Sequence, residues 1–319
     1  MNGASLYWND PRIQYVEGYS LDQFVVGEIA LRPVRQQKVG LLLDAALDEN
    51  SRNRHLHVAD GCRASLGLNI GPVLTTDTAL GIRICHGSSG ASWGEIGKPE
   101  VLLRAGEALK AAGATAIAVV TRFPEALDEE SSVEYRQGKG VDPLAGAEAV
   151  ISHLLVQHLS IPCAHAPSLP LLPIPSGLDP RVAAEEIGFT FLSCVLMGLS
   201  RAPDLLARNR ASREIIGNSV GILTVDCLGA VVAPEGALGG EAVLACLEKN
   251  IPLVVVSNPN VLHVGSTELG IVDSFKNDSH GKVLFAKNYC EAAGLLISLR
   301  EGINTESLLR PIKEVNTFK

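Results

Sequence analysis

The stretch Leu80–Phe123, LGIRICHGSSGASWGEIGKPEVLLRAGEALKAAGATAIAVVTRF, sets the architecture. Gly81–Cys85 is an apolar-alternating run of strand length, and His86–Gly97 is rich in glycine and serine. A helix is expected from Pro99, because proline at the first helical position lacks only an N–H that has no partner there. Leu102, Ala105, Leu109 and Ala112 then share one face, and Gly113 supplies the stop. Ala116–Val120 is an apolar run that suits a buried strand. A strand, a loop, a helix and a second strand make a βαβ unit, which requires a parallel sheet.

Working outward, Val39–Leu43 reads as another buried strand ending at Asp44. A helix-period segment follows it from Glu49 to Leu66, before Gly67. Thr121–Asp142 reads as a long polar loop, and Asp142-Pro143 as the N-cap and first residue of a helix. That helix carries Leu144, Ala147, Ile151, Leu154, Leu155 and His158 on one face, so His158 is expected in the core. Ala183–Leu199 is apolar nearly all round and is expected to be a buried helix. Ala230–Ala233, Pro234–Gly240, Glu241–Lys249 and Leu253–Val256 repeat the strand, loop, helix, strand order. Asn288–Glu291 opens a last helix with a capping-box pattern. The expected fold is α/β, a largely parallel sheet with helices on both faces, arranged as two Rossmann-like lobes around a cleft. The lobes are drawn at 1–160 and 161–319, or the two form one continuous domain.

Composition bounds the function. The 319 residues carry a net charge of −8 without a basic block, which argues against the phosphate backbone of nucleic acid as a partner. No apolar run approaches the roughly 20 residues of a membrane span, and the N-terminal residues do not read as a secretory signal. The seven cysteines are odd in number and widely spaced, with no C-x-x-C, so a reducing cytoplasm is expected rather than a disulfide framework. Mean hydropathy is positive, +0.21. With the apolar run Phe189–Leu199, this raises the expectation of a homo-oligomer.

Several segments together resemble a known family. They are Gly90-Ala91-Ser92-Trp93-Gly94, Val119-Val120-Thr121-Arg122-Phe123-Pro124, Gly140-Val141-Asp142-Pro143 and Ile151-Ser152-His153. Ile161-Pro162-Cys163-Ala164-His165-Ala166-Pro167, Gly198-Leu199-Ser200-Arg201-Ala202-Pro203 and Leu238-Gly239-Gly240 extend the match over roughly residues 38–270. The family is the domain-of-unknown-function family 3326 of cyanobacteria and plant plastids. The resemblance implies a cytosolic or stromal protein and brings no catalytic residues with it.

The residues themselves suggest a site. In the loop before the helix, Gly87, Ser88, Ser89, Gly90 and Ser92 would turn backbone N–H groups toward an anion. The pattern matches neither the dinucleotide fingerprint nor the P-loop, so no nucleotide cofactor is expected. Such a loop has no fixed positive charge, and Arg122 or Arg201 is the candidate partner for the anion. Arg201 also suits a helix C-terminus. Glu235, beside Gly239 and Gly240, is a candidate base at a strand end. Cys163 and His165 lie two apart on an extended segment, so they share a face and suit thiolate–imidazole chemistry or a pair of core positions. Their set is too small for a metal, and none is expected. The reading is an enzyme acting on a small anionic metabolite by acid–base chemistry, with a non-catalytic metabolite-binding or scaffold protein as the alternative.

Overall fold

The computed structural model describes residues 7, 10, 12–86, 92–123, 129–170, 176–188, 190–209, 221–258, 262–271, 283–312 and 314. The chain divides into two compact units, Met1–Val225 and Asp226–Lys319. Position 160/161 lies inside the first unit, just ahead of a strand paired within that unit's main sheet.

The first unit begins with α1 (Gly18–Val26), β1 (Ile29–Arg32), β2 (Val39–Leu43), α2 (Glu49–Leu66) and β3 (Ile70–Thr75). It continues through β4 (Ile82–His86), β5 (Ser92–Ile96), α3 (Pro99–Ala111), β6 (Ala116–Arg122) and α4 (Glu129–Arg136). α5 (Ala145–Leu159), β7 (Cys163–Ser168), α6 (Pro180–Glu185), α7 (Leu192–Ser200) and β8 (Asp204–Ala207) complete it.

Its centre is a parallel sheet of order β3-β2-β6-β7. All five residues of β2 are buried, because helices cover both faces. Side-chain alternation sorts the strands. Leu42, Ile117, Val119 and Cys163 pack with Leu102, Leu109, Ile151 and Leu155 of α3 and α5. Leu41, Leu43, Ala118, Val120 and Ala164 pack on the other face with Ala59 and Cys62 of α2 and Leu192, Leu196 and Leu199 of α7. The sheet therefore grows in opposite directions from its centre, β2 to β3 through α2 and β6 to β7 through α5. The carboxyl ends of β2 and β6 are a topological switch point, where ligands gather in open α/β sheets.

The unit around the glycine loop differs from its expected form. β4 pairs antiparallel with β5 in a separate hairpin rather than joining the parallel sheet. The hairpin is tied to the start of α5 by the Ser92 side chain, whose Oγ accepts from Gly146 N at 3.1 Å. Thr121–Asp142 contains α4, and the single helix expected over Ala183–Leu199 is divided between α6 and α7. His158 is exposed, bonded to Glu107 Oε1 at 2.6 Å, and does not reach the core.

In the second unit β9 (Val231–Pro234), α8 (Glu241–Glu248), β10 (Leu253–Val256), β11 (Val283–Ala286) and α9 (Tyr289–Arg300) surround a parallel sheet of order β11-β10-β9. The capping box is present, with Glu291 N donating to Asn288 Oδ1 at 3.0 Å and Lys287 N to Glu291 Oε2 at 2.7 Å.

Candidate functional site

β7 carries His165 on the α5 face of the sheet, two residues beyond Cys163, as the strand period requires. The His165 side chain is wholly buried. Its ring meets Phe123 edge-on with centroids 5.2 Å apart. Nε2 contacts Thr121 Oγ1 of β6, and Nδ1 lies 3.3 Å from Glu148 Oε1 in the first turn of α5. Burial pulls the imidazole down to about 3, with a smaller opposing pull from Asp44. The same burial pushes Glu148 up to about 8. Burial thus favours the neutral form of both partners, and the contact is a hydrogen bond rather than a strong ion pair.

Glu148 opens onto a cavity of about 170 Å³, walled by Tyr15, Tyr135, Asp142, Glu148, His165, Pro167, Glu185, Phe191, Cys194 and Val195. That is room for about five waters or one small metabolite. Asp142 is pushed up to about 7, first by burial and then by the charge of Glu148. Glu185 is also raised to about 7, by burial first and by Asp142 and Glu148 after it, although its bond from Tyr135 opposes the shift. Tyr135 donates from its hydroxyl to Glu185 Oε2 at 3.0 Å. Its own phenol is raised by burial and then by the neighbouring carboxylates, so it stays protonated. Among the described residues of the wall there is no lysine or arginine.

Two short helices bring these groups together. Arg136 at the end of α4 reaches Glu186 after α6 with both arms, Nε to Oε1 at 2.9 Å and Nη2 to Oε2 at 3.0 Å. The backbone N–H of Asp179 donates to Arg136 O at 2.8 Å. The Arg136–Glu186 pair is largely buried, with side chains 9% and 15% exposed, and it clasps α4 to α6 so that Tyr135 and Glu185 meet.

The residues singled out in the sequence are distributed as follows. His165 lies in the cavity wall. Cys163 is buried in the core, donates from Sγ to Ile161 O at 3.4 Å, and has its thiol pushed up, first by burial. Asp142 accepts from Leu144 N at 2.8 Å, which makes it a turn residue ahead of α5, and it also forms part of the wall. Gly87, Ser88, Ser89 and Gly90 lie outside the described residues, whereas Ser92 opens β5 and accepts from Gly146 N. Arg122 ends β6 and borders two hollows at the carboxyl edge of the sheet. Arg201 follows α7, with Nη1 donating to Asp10 O at 3.3 Å.

In the second unit, Glu235 follows β9 and accepts from Ser266 N and Ser266 Oγ, both at 2.9 Å, which pins the segment after β10. Gly240 starts α8, and a side chain on Gly239 would press against Val264. No sequence motif marks Glu148, Glu185, Tyr135 or Tyr15 as site residues. Glu148 left one trace, a carboxyl four residues before the buried Ser152 on an apolar helix. The others come from distant segments with no shared spacing. Among the described residues no three His, Cys, Asp or Glu side chains form a metal-holding group. No helix there is long and apolar enough to cross a membrane.

The sequence also has a relative outside this chain. It is 45% identical over 309 residues to an uncharacterised lipoprotein of Synechococcus sp. (strain ATCC 27144), covering 97% of this chain and 81% of that one. A family model matches residues 1–309 across both units, and the chain belongs to that family, described as a protein of unknown function (DUF3326).

Proposed function

We propose that the first unit is an acid–base enzyme acting on a small polar metabolite in the Asp142–Glu148–Glu185 cavity. The observation that carries this reading is the meeting of three carboxyl groups, all raised toward neutrality, in one small cavity beside a neutral imidazole. Convergent groups with perturbed pKa values in a concave site support a reading of proton-transfer chemistry. The three carboxyls titrate as a coupled set near neutral pH, so that one can serve as general acid while another serves as base. Cys163 has no part, because a thiol held protonated in the core is a poor nucleophile.

The charge of the cavity redirects the substrate class. Three carboxyls with no cation in the described wall disfavour the small anionic metabolite at this position and favour a hydroxyl- or amine-bearing molecule. The name lipoprotein belongs to the Synechococcus relative. For this chain we propose a reducing, cytoplasm-type compartment, because all seven cysteines are free thiols. Recovery of the native protein in a washed membrane pellet would refute that placement.

The test is an NMR screen of the chain, carbon-labelled at Asp and Glu carboxyls, against small polyols and amines in D₂O. The expected result is a shift of the Glu148 carboxyl signal on binding, with deuterium entering a carbon-bound position of the ligand. Binding without deuterium uptake would favour the non-catalytic alternative. Carboxyl signals that ignore every ligand would remove the cavity from consideration.

A further inference from the structure

A second hollow lies at the switch point between β2 and β6 and shares no wall residue with the acidic cavity. It is an open crevice of about 360 Å³, bordered by Asp44, Ala46, Gly81, Ile82, Arg122 and Phe123 among others. Asp44 directly follows β2, where its backbone N–H donates to Val120 O of β6 at 2.9 Å. The residue is 1% exposed. Its Oδ1 accepts two backbone N–H groups, from Ala46 at 3.0 Å and Leu80 at 3.1 Å. Its Oδ2 is buried and has no hydrogen-bond partner among the described residues. A carboxylate oxygen held in this way is costly unless a donor reaches it, and two backbone donors already fix where the side chain points. Arg122, at the end of β6, places a guanidinium at the same crevice.

We propose that this crevice binds a small carboxylic acid carrying a hydroxyl or ammonium group beside its carboxylate. The carboxylate meets Arg122, whose fork suits a planar anion. The neighbouring O–H or N–H donates to Asp44 Oδ2. Asp48 borders the adjoining hollow together with Arg122 and competes for the guanidinium, which keeps the affinity modest. The two hollows are neighbours, since Phe123 packs on the His165 ring, but the ligand and the variants tested belong to the crevice alone.

The full chain is titrated by calorimetry and ligand-observed NMR with L-lactate and L-alanine. Propionate, which keeps the acid and lacks the donor, is the control. Lactate or alanine is expected to bind at least about tenfold more tightly than propionate, the factor that one charge-assisted hydrogen bond contributes. Arg122→Gln should abolish binding. Asp44→Asn keeps the Oδ1 acceptor and should bring lactate and alanine down to the propionate level. The proposal is overturned if neither probe binds at about 20 mM, above the millimolar range expected of so small a ligand. It is equally overturned if propionate binds as well as the probes do, or if both variants bind like the parent. Should Asp44→Asn not fold, the propionate comparison on the parent chain and the Arg122→Gln result decide.

Discussion

Burial moves Glu148 and His165 in opposite directions along the pH scale, and the sign of each shift sets a stability profile. Glu148, Asp142 and Glu185 hold protons in the folded chain at pH values where the unfolded chain has released them. Their contribution is fully present below about pH 4 and is lost as pH rises through 7 and 8. His165 does the reverse: its contribution is present above about pH 6.5 and fades as pH falls toward 3. Glu148→Gln keeps the shape and removes the ionisation. It should stabilise the chain by about 1–3 kcal/mol at pH 8.5 and change it by less than about 1 kcal/mol at pH 5. Urea unfolding at both pH values reads this directly, and a parallel pH dependence in parent and variant would show that Glu148 is not held neutral. The cysteines give a second check at this scale. Cys227 and Cys290 are exposed, whereas Cys62, Cys163, Cys194 and Cys246 are buried. Native protein should react quickly with Ellman's reagent at the exposed pair, and the buried four should wait for denaturant. Fast labelling of Cys163 would contradict its place in the core. At this scale the sequence marked His165, because a histidine in an extended apolar run is a local signal, whereas Asp142 reads there only as a helix N-cap. The sequence could not mark Glu185 or Tyr135, whose significance depends on a meeting across 50 residues.

Elements are held close to the cavity by the absence of side chains. A Cβ on Gly146 would stand 1.8 Å from Ser92 O, and one on Gly94 would stand 2.4 Å from Ala147 Cα. The obstacles are backbone, so the hairpin and α5 cannot relax by turning a rotamer. Gly146→Ala should therefore cost about 3 kcal/mol or more, at the upper end for overpacking. It should also displace Glu148 two residues on. A melting temperature within about 2 °C of the parent would show that the contact is looser than described. The clasp between α4 and α6 is the second device. Arg136→Met leaves the Glu186 carboxylate in a largely buried place, at a cost of about 3–5 kcal/mol for a broken buried pair. The double variant Arg136→Met with Glu186→Leu should recover much of that loss, as denaturant midpoints would show. An unchanged midpoint in the single variant would mean that the clasp does not hold the two helices. Periodicity and capping were enough to place α2, α3 and α9. They could not show that β4 leaves the parallel sheet, because a short apolar run reads the same in a hairpin as in a sheet.

At the scale of the whole molecule, the four strands of the main sheet and both of its packed faces lie within Met1–Val225. A chain ending at Val225 should fold cooperatively, with a single thermal transition and the far-UV signal of a mixed α/β protein. An unfolded or aggregated product would mean that the second unit is needed to complete the first. The run that raised the expectation of self-association is largely covered: Leu192, Leu196 and Leu199 are buried against the sheet of their own chain. The α/β class, the buried strands β2, β6 and β10 and the helices α2, α3, α8 and α9 were legible in the amino-acid sequence alone. These follow from hydrophobic period, helix caps and glycine stops, which act over a few neighbouring residues. Only the tertiary structure decided which strands pair, where the sheet changes direction, and that three carboxyls, a tyrosine and a histidine share one cavity. Burial supplies the reason: the same carboxyl is an ordinary solvated acid in an unfolded chain and a neutral proton donor once distant segments close around it.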